Sequence, residues 1–99
     1  MDLAIVDGAL QPASTATIPI TDEGLLRGDG AFEVIRVYAG VPFALEEHLE
    51  RLARSAANLR LELSPPDVRA DVEALLAEAG TIDAALRVLV TRSGRRIGI

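Results

Sequence analysis

Between Gly28 and Ser55 the chain spells out a glycine-bracketed turn, a strand, a second turn and a helix with almost nothing left over. From Ala31 to Tyr38 the residues are β-branched, aromatic or charged, and they alternate. Phe32, Val34, Arg36 and Tyr38 therefore share one face, and Ala31, Glu33, Ile35 and Val37 the other. Both faces are mostly apolar, which predicts a central strand. The face that carries Arg36 is expected to be buried or to line a pocket, where that charge needs a partner. Ala39-Gly40 reads as a tight turn, and Val41-Pro42-Phe43 leads out of it.

The helix that follows, Glu46 to Ser55, is placed by counting at about 100° per residue. Leu45, Leu49, Leu52, Ala56 and Leu59 fall on one stripe, the core face. His48, Arg51 and Ser55 fall on its flank, between core and water. A guanidinium there buries its stem and offers a rigid fork of donors to a phosphate or carboxylate. The same spacing also fits a solvated arginine paired with Glu47, four residues earlier.

Around this unit the chain supplies further elements. Leu3 to Val6 is a predicted strand, Asp7-Gly8 a hairpin turn and Ala9 to Gln11 its partner. Pro12 to Ile20 reads as an extended connection. Asp22 caps a short helical turn, Glu23 to Arg27, which Gly28 ends. Gly24, Gly28 and Gly30 do not make a dinucleotide fingerprint, because the third required glycine falls on Glu33. After Leu61-Glu62-Leu63, Ser64 is the expected N-cap and Pro65 the first residue of a second long helix, with Asp67 near its positive end. Val68, Val72, Leu75, Leu76 and Ala79 form its core stripe, and Gly80 stops it. Ala85 to Thr91 alternates again, with Leu86, Val88 and Val90 on one face and Arg87, Leu89 and Thr91 on the other. The expected fold class is α+β: a small domain, residues 1–99, with a mostly antiparallel sheet and two helices packed on one face.

Composition removes whole classes of function. Ten arginines face fifteen acids, a net charge of −5, so no basic surface for nucleic acid is expected. There is no cysteine, which excludes disulfides, thiol nucleophiles and cysteine-held zinc. The one histidine, His48, lacks the second histidine of a zinc helix, so no metal site is expected. No nucleophile-elbow pattern surrounds any serine. Met1 to Asp7 has no basic leader, and the longest uncharged stretch, Gly8 to Thr21, is too short to span a bilayer. The expectation is a cytoplasmic protein.

Gly-Asp-Gly-Ala-Phe-Glu-Val-Ile-Arg-Val-Tyr, followed by Glu-His-Leu-Glu-Arg-Leu-Ala-Arg-Ser-Ala, resembles the N-terminal domain of the fold-type IV pyridoxal-phosphate enzymes. These are branched-chain and D-amino acid aminotransferases and aminodeoxychorismate lyases. The resemblance runs from Val6-Asp7-Gly8 to Thr91-Arg92. It implies that Arg51, in the His-Leu-x-Arg-Leu motif, holds the phosphate of pyridoxal 5'-phosphate. It implies that Phe32 lines the substrate pocket, with Val34 and Arg36 beside it. In the loop Arg92 to Arg96, it makes Arg96 the partner of a substrate carboxylate, although Arg95 and Arg96 also read as solvated turn charges.

The same family needs a lysine whose amine holds the cofactor and shuttles the proton. All ten basic residues here are arginines. No catalytic residue is therefore assigned within the chain. The apolar ending Ile97-Gly98-Ile99 reads as cut inside a larger architecture, and the resemblance implies a larger, lysine-bearing C-terminal domain outside this chain and a homodimer when intact. The expected reaction is amino transfer between an amino acid, possibly branched-chain, and a 2-oxo acid. Aminodeoxychorismate lyase is the close alternative. A non-catalytic binding or dimerisation module, or a truncated reading frame, are the other readings.

Overall fold

Asp7 and Gly8, both at positive φ, turn Leu3–Val6 (β1) back onto Ala9–Pro12 (β2) in the computed structural model, which describes residues 2–99. The stretch expected to be extended contains one 3-10 turn, Ala13–Thr15, whose Thr15 hydroxyl donates to the Pro12 carbonyl. Asp22 then caps Glu23–Arg27 (α1) by accepting the Gly24 N–H at 2.8 Å, and Gly28 ends it in the left-handed conformation, as expected. Gly30–Tyr38 (β3) follows. The pair Ala39 and Gly40, at φ 50° and 79°, folds Val41–Pro42 (β4) against its end.

Leu45–Asn58 (α2) and Pro65–Ala79 (α3) are the two long helices, and Ala84–Thr91 (β5) and Arg96–Gly98 (β6) complete the chain. The last strand was not expected. Its residues pair with β1 on one side and β5 on the other, closing the gap between the N-terminal hairpin and the long strands. The six strands lie in the order β2-β1-β6-β5-β3-β4, every pair antiparallel. The predicted α+β class, with two main helices on one side of an antiparallel sheet, is what forms.

Both helices cover the same face. Ala31, Ile35 and Val37 of β3, Leu86, Val88 and Val90 of β5 and Ile5 of β1 meet Leu52 and Ala56 of α2 and Val68, Val72 and Leu75 of α3. Each large side chain buried there contributes roughly 1.5–3 kcal/mol. Gly98 lets α3 approach the sheet, since a Cβ on it would stand 2.7 Å from Leu75 Cδ1 and 2.9 Å from Ile5 Cγ2.

Two expectations are corrected, and a third, the Ser64 N-cap, holds in position but not in its bond. The face of Phe32, Val34, Arg36 and Tyr38 is the open one, with Phe32, Val34 and Tyr38 exposed by 64%, 42% and 53%. Alternation separates the two faces of a strand, but only the side to which the helices return decides which becomes core. Leu59 is also half-exposed, because α2 ends at Asn58 and leaves it beyond the packed stripe. Ser64 sits at the N-cap of α3, yet its hydroxyl makes no capping bond. Pro66, which has no N–H, removes one of the two amides that such a hydroxyl reaches. The Ser64 carbonyl instead accepts from Asp67 and Val68 N–H. Among the described residues, no helix is long and apolar enough to cross a membrane.

Candidate functional site

Glu33 points from β3 toward the helices, where its side chain is only 7% exposed. A carboxylate so placed needs donors, and α2 supplies two from positions three apart. Arg51 Nε donates to both oxygens at 3.0 Å and Nη2 to Oε1 at 2.7 Å, while His48 Nδ1 donates to Oε1 at 2.7 Å. The competing partner Glu47 is not used: Arg51 is bound to the sheet. Its side chain remains 59% exposed, and among the described residues Nη1 makes no bond. The sequence placed Arg51 and His48 correctly on the flank of the stripe. It left Glu33 unremarked, although an acid among core-facing positions of a strand was the available signal.

Burial alone would raise the Glu33 carboxyl. The hydrogen bonds from Arg51 and His48, with their charges, outweigh it and hold the group below the ordinary carboxylate value. The bond to Glu33 in turn raises Arg51. A depressed folded-state pKa means that the unfolded chain takes up the proton first, so stability is present above the ordinary value of 4.5 and is lost as pH falls through the folded value. We expect Glu33→Gln to lower stability near neutrality by about 1–3 kcal/mol and to flatten the acid side of the stability profile. Urea unfolding from pH 7 to pH 3 measures this, and parallel profiles for the two proteins would remove Glu33 as the acid-sensitive group.

The other face of β3 carries the remaining strand candidates. Phe32, Val34 and Arg36 stand together there, and the β5 register sets Leu89 opposite Phe32 and Arg87 opposite Val34. The Arg36 guanidinium lies 5.7 Å from the Tyr38 ring centroid, and Tyr38 meets Phe43 edge-on at 6.4 Å. Neither Arg36 nor Arg87 has a carboxylate partner among the described residues. No strand residue on this face is acidic, since Ala85 and Thr91 of β5 and Val41 of β4 lie on it with Ala4, Val6, Ala9, Gln11, Leu89 and Ile97; the buried Asp22 meets it only at Thr91, whose hydroxyl donates to it at 3.2 Å. Two unpaired cations on an apolar floor suit an anionic ligand with an apolar body. Arg87 was not singled out from sequence, because its place beside Val34 depends on a register that the alternation alone does not give.

Arg96 is not brought to that face. It pairs with Val90, which faces the helices, and binds Asp71 of α3 through Nε and Nη2, with Asp67 at 3.7 Å. The bond to Asp71 raises the Arg96 guanidinium. Its neighbours are engaged as well. Arg95 reaches Asp7 at 3.0 Å and the buried Asp22 at 3.4 Å, and Arg92 binds Asp29 at 3.1 Å. The loop read as a carboxylate receiver is an internal lattice of ion pairs.

Arg51 and the Phe32, Val34, Arg36 group lie on opposite faces of one strand and share its outer edge. There β4 pairs only with Val37 and Tyr38. The Arg36 carbonyl accepts from Phe43 N–H on that edge, so alternation turns the backbone groups of Phe32 and Val34 the same way, past the end of β4. A ligand on this edge meets a cationic fork on one side and an apolar, cationic floor on the other.

Comparison with known proteins gives this arrangement a context. The family model for amino-transferase class IV matches residues 30–98. D-alanine aminotransferase of Bacillus licheniformis is 36% identical over 90 residues, 89% of this chain and 32% of the relative. The solved 4-amino-4-deoxychorismate lyase of Pseudomonas aeruginosa superposes with a TM-score of 0.83 at 35% identity, over 98% of this chain and 38% of that one. A hypothetical aminotransferase of Mycobacterium tuberculosis, solved in a PLP-bound form, gives a TM-score of 0.86 at 26% identity, over 98% and 38%. The chain thus spans about a third of the length of the relatives it matches.

Proposed function

Because this chain belongs to the amino-transferase class IV family, we propose that it is the small N-terminal domain, residues 1–99, of a pyridoxal-phosphate enzyme that moves an amino group between an amino acid and a 2-oxo acid. The observation that carries this reading is the Arg51 guanidinium, oriented by Glu33 through Nε and Nη2 while Nη1 makes no hydrogen bond among the described residues. An arginine whose fork is already held loses less freedom on meeting a phosphate. Arg51 suits the phosphate end of the cofactor for that reason.

The cofactor, when bound, supplies an electron sink for a substrate carbanion. This chain has no lysine, so the amine that holds the cofactor and carries the proton belongs to a larger domain outside it. The remaining roles fall to the open face. Phe32 and Val34 exclude water from the substrate side, while Arg36 and Arg87 receive carboxylate oxygens. Arg96, committed to Asp71, is left out of this assignment. The intact enzyme is a homodimer in this reading, as in the family it resembles.

A second reading has a specific observation behind it, the 35% identity to the Pseudomonas lyase. Assay of the intact protein with pyridoxal phosphate separates the two. Transamination requires an acceptor 2-oxo acid and gives amino transfer between the pair. The lyase releases pyruvate from aminodeoxychorismate without any acceptor. If neither activity is found and the source makes a folded product of 99 residues, the chain is a non-catalytic module.

A further inference from the structure

We infer that Arg92 is a positioning residue for the Arg51 fork, acting through the far end of α2. Its side chain lies at a junction of three elements. Nη2 donates to the Leu59 carbonyl at 2.7 Å and Nη1 to the Arg60 carbonyl at 2.8 Å, just past the last turn of α2. Nε donates to the Asp29 carboxylate at 3.1 Å, and the Arg92 N–H donates to the Asp29 carbonyl at 2.9 Å. Asp29 immediately precedes β3.

The end of α2 needs this help. Arg60 takes the left-handed conformation at φ 55°, where glycine is the usual residue. Leu61 N–H reaches back to the Ala56 carbonyl at 2.8 Å and Arg60 N–H to Ala57 at 3.1 Å. The carbonyls of Leu59 and Arg60 lie beyond these bonds, and Arg92 takes both.

The consequence reaches Arg51 because α2 is fixed to β3 at two points and Arg51 lies between them. At the other end the Phe43 N–H donates to the Arg36 carbonyl at 2.7 Å, tying the entry of α2 to the far end of the strand. A helix of this length spans about 21 Å, and the strand from Asp29 to Arg36 about 23 Å. The two antiparallel elements are thus matched in length and bolted at both ends. The bonds from His48 and Arg51 to Glu33 cross between them. Releasing one bolt lets α2 slide or roll, and hydrogen bonds of 2.7–3.0 Å weaken steeply with small displacements. The inference depends on this geometry alone and not on which anion Arg51 receives.

The test reads the Arg51 Nε–H directly, by its NMR cross-peak in the ¹⁵N-labelled purified protein. In Arg92→Ala we expect this cross-peak to shift and its hydrogen exchange to quicken by roughly tenfold, as for a lost helix cap. Arg92→Lys should restore much of the protection, since an ammonium still reaches a carbonyl and Asp29. If the changes are confined to the amides of residues 57–61 while the Arg51 signal stays still, Arg92 is a local cap and the inference is wrong. Should Arg92→Ala fail to fold, Asp29→Asn decides: it keeps the shape and removes the charge. An Arg51 signal that moves in that variant supports the clamp, and one that does not overturns it.

Discussion

Gly40→Ala is expected to lower the urea midpoint of this domain by about 1–3 M. Two costs fall on the same atom. Gly40 sits at φ +79°, where a side chain costs roughly 1–2 kcal/mol. Its new Cβ would also stand 2.7 Å from the Gly80 carbonyl oxygen, a backbone atom that cannot rotate away. Such crowding adds about 1–3 kcal/mol, and dividing the sum by a urea slope of about 2 kcal/mol per M gives the midpoint shift. The contact matters because the β3–β4 turn is docked on the α3–β5 connection: Gly40 N–H donates to Ile82 O at 2.8 Å and Ala39 N–H to Asp83 Oδ1 at 2.7 Å. Gly94→Ala is the control. It shares the positive φ, +83°, but a Cβ there meets nothing within 4 Å. Equal losses for the two variants would show that backbone conformation alone is at work and that the docking contributes nothing.

How much of this was readable beforehand follows from what each signal is made of. Local chemistry was legible. The Asp22 cap, the Gly28 stop, the Ala39-Gly40 turn and the second long helix stand where side-chain spacing put them, while the first long helix runs three residues past Ser55 to Asn58. The α+β class followed from them. Quantities that depend on partners distant in the chain were not. Arg96 looked like a free cation because Asp71 lies on another element, 25 residues earlier. Asp71, which the spacing of α3 did not single out, is buried where Arg96 meets it. The face of Phe32, Val34 and Arg36, expected to be buried or to line a pocket, stays out of the core for the same reason: apolar character alone does not separate Phe32 and Val34 from Ile35 and Val37.

The candidate site was half legible on the same grounds. Arg51 and His48 lie on one helix, so their common flank is a matter of counting. Their partner Glu33 is on a strand, and only the packing of α2 on β3 joins them. That union changes what Arg51 is. A lone surface arginine is a mobile charge worth little, whereas one held through two of its nitrogens presents the third in a set direction.

Arg51→Ala in the intact enzyme is accordingly expected to weaken pyridoxal-phosphate binding by about ten- to a hundredfold. Arg51→Lys should also weaken it, because the charge stays but the planar fork is lost, and with it the grip on Glu33 that aims the free nitrogen. The comparison that isolates the effect is Arg69→Ala. Arg69 makes an equally tight two-pronged pair with Glu46, at 2.8 and 2.7 Å, but between two helices on the exposed surface. Losing that pair should leave cofactor affinity where it was. Equilibrium titration of the cofactor absorbance in the three variants reads all of these outcomes. Unchanged affinity in Arg51→Ala would reduce the Glu33–Arg51 pair to a structural tie between β3 and α2. An equal fall in Arg69→Ala would mean that the measurement reports general loosening of the domain. A fall in both Arg51 variants with Arg69→Ala unaffected is what a phosphate seated on a fork held by Glu33 requires.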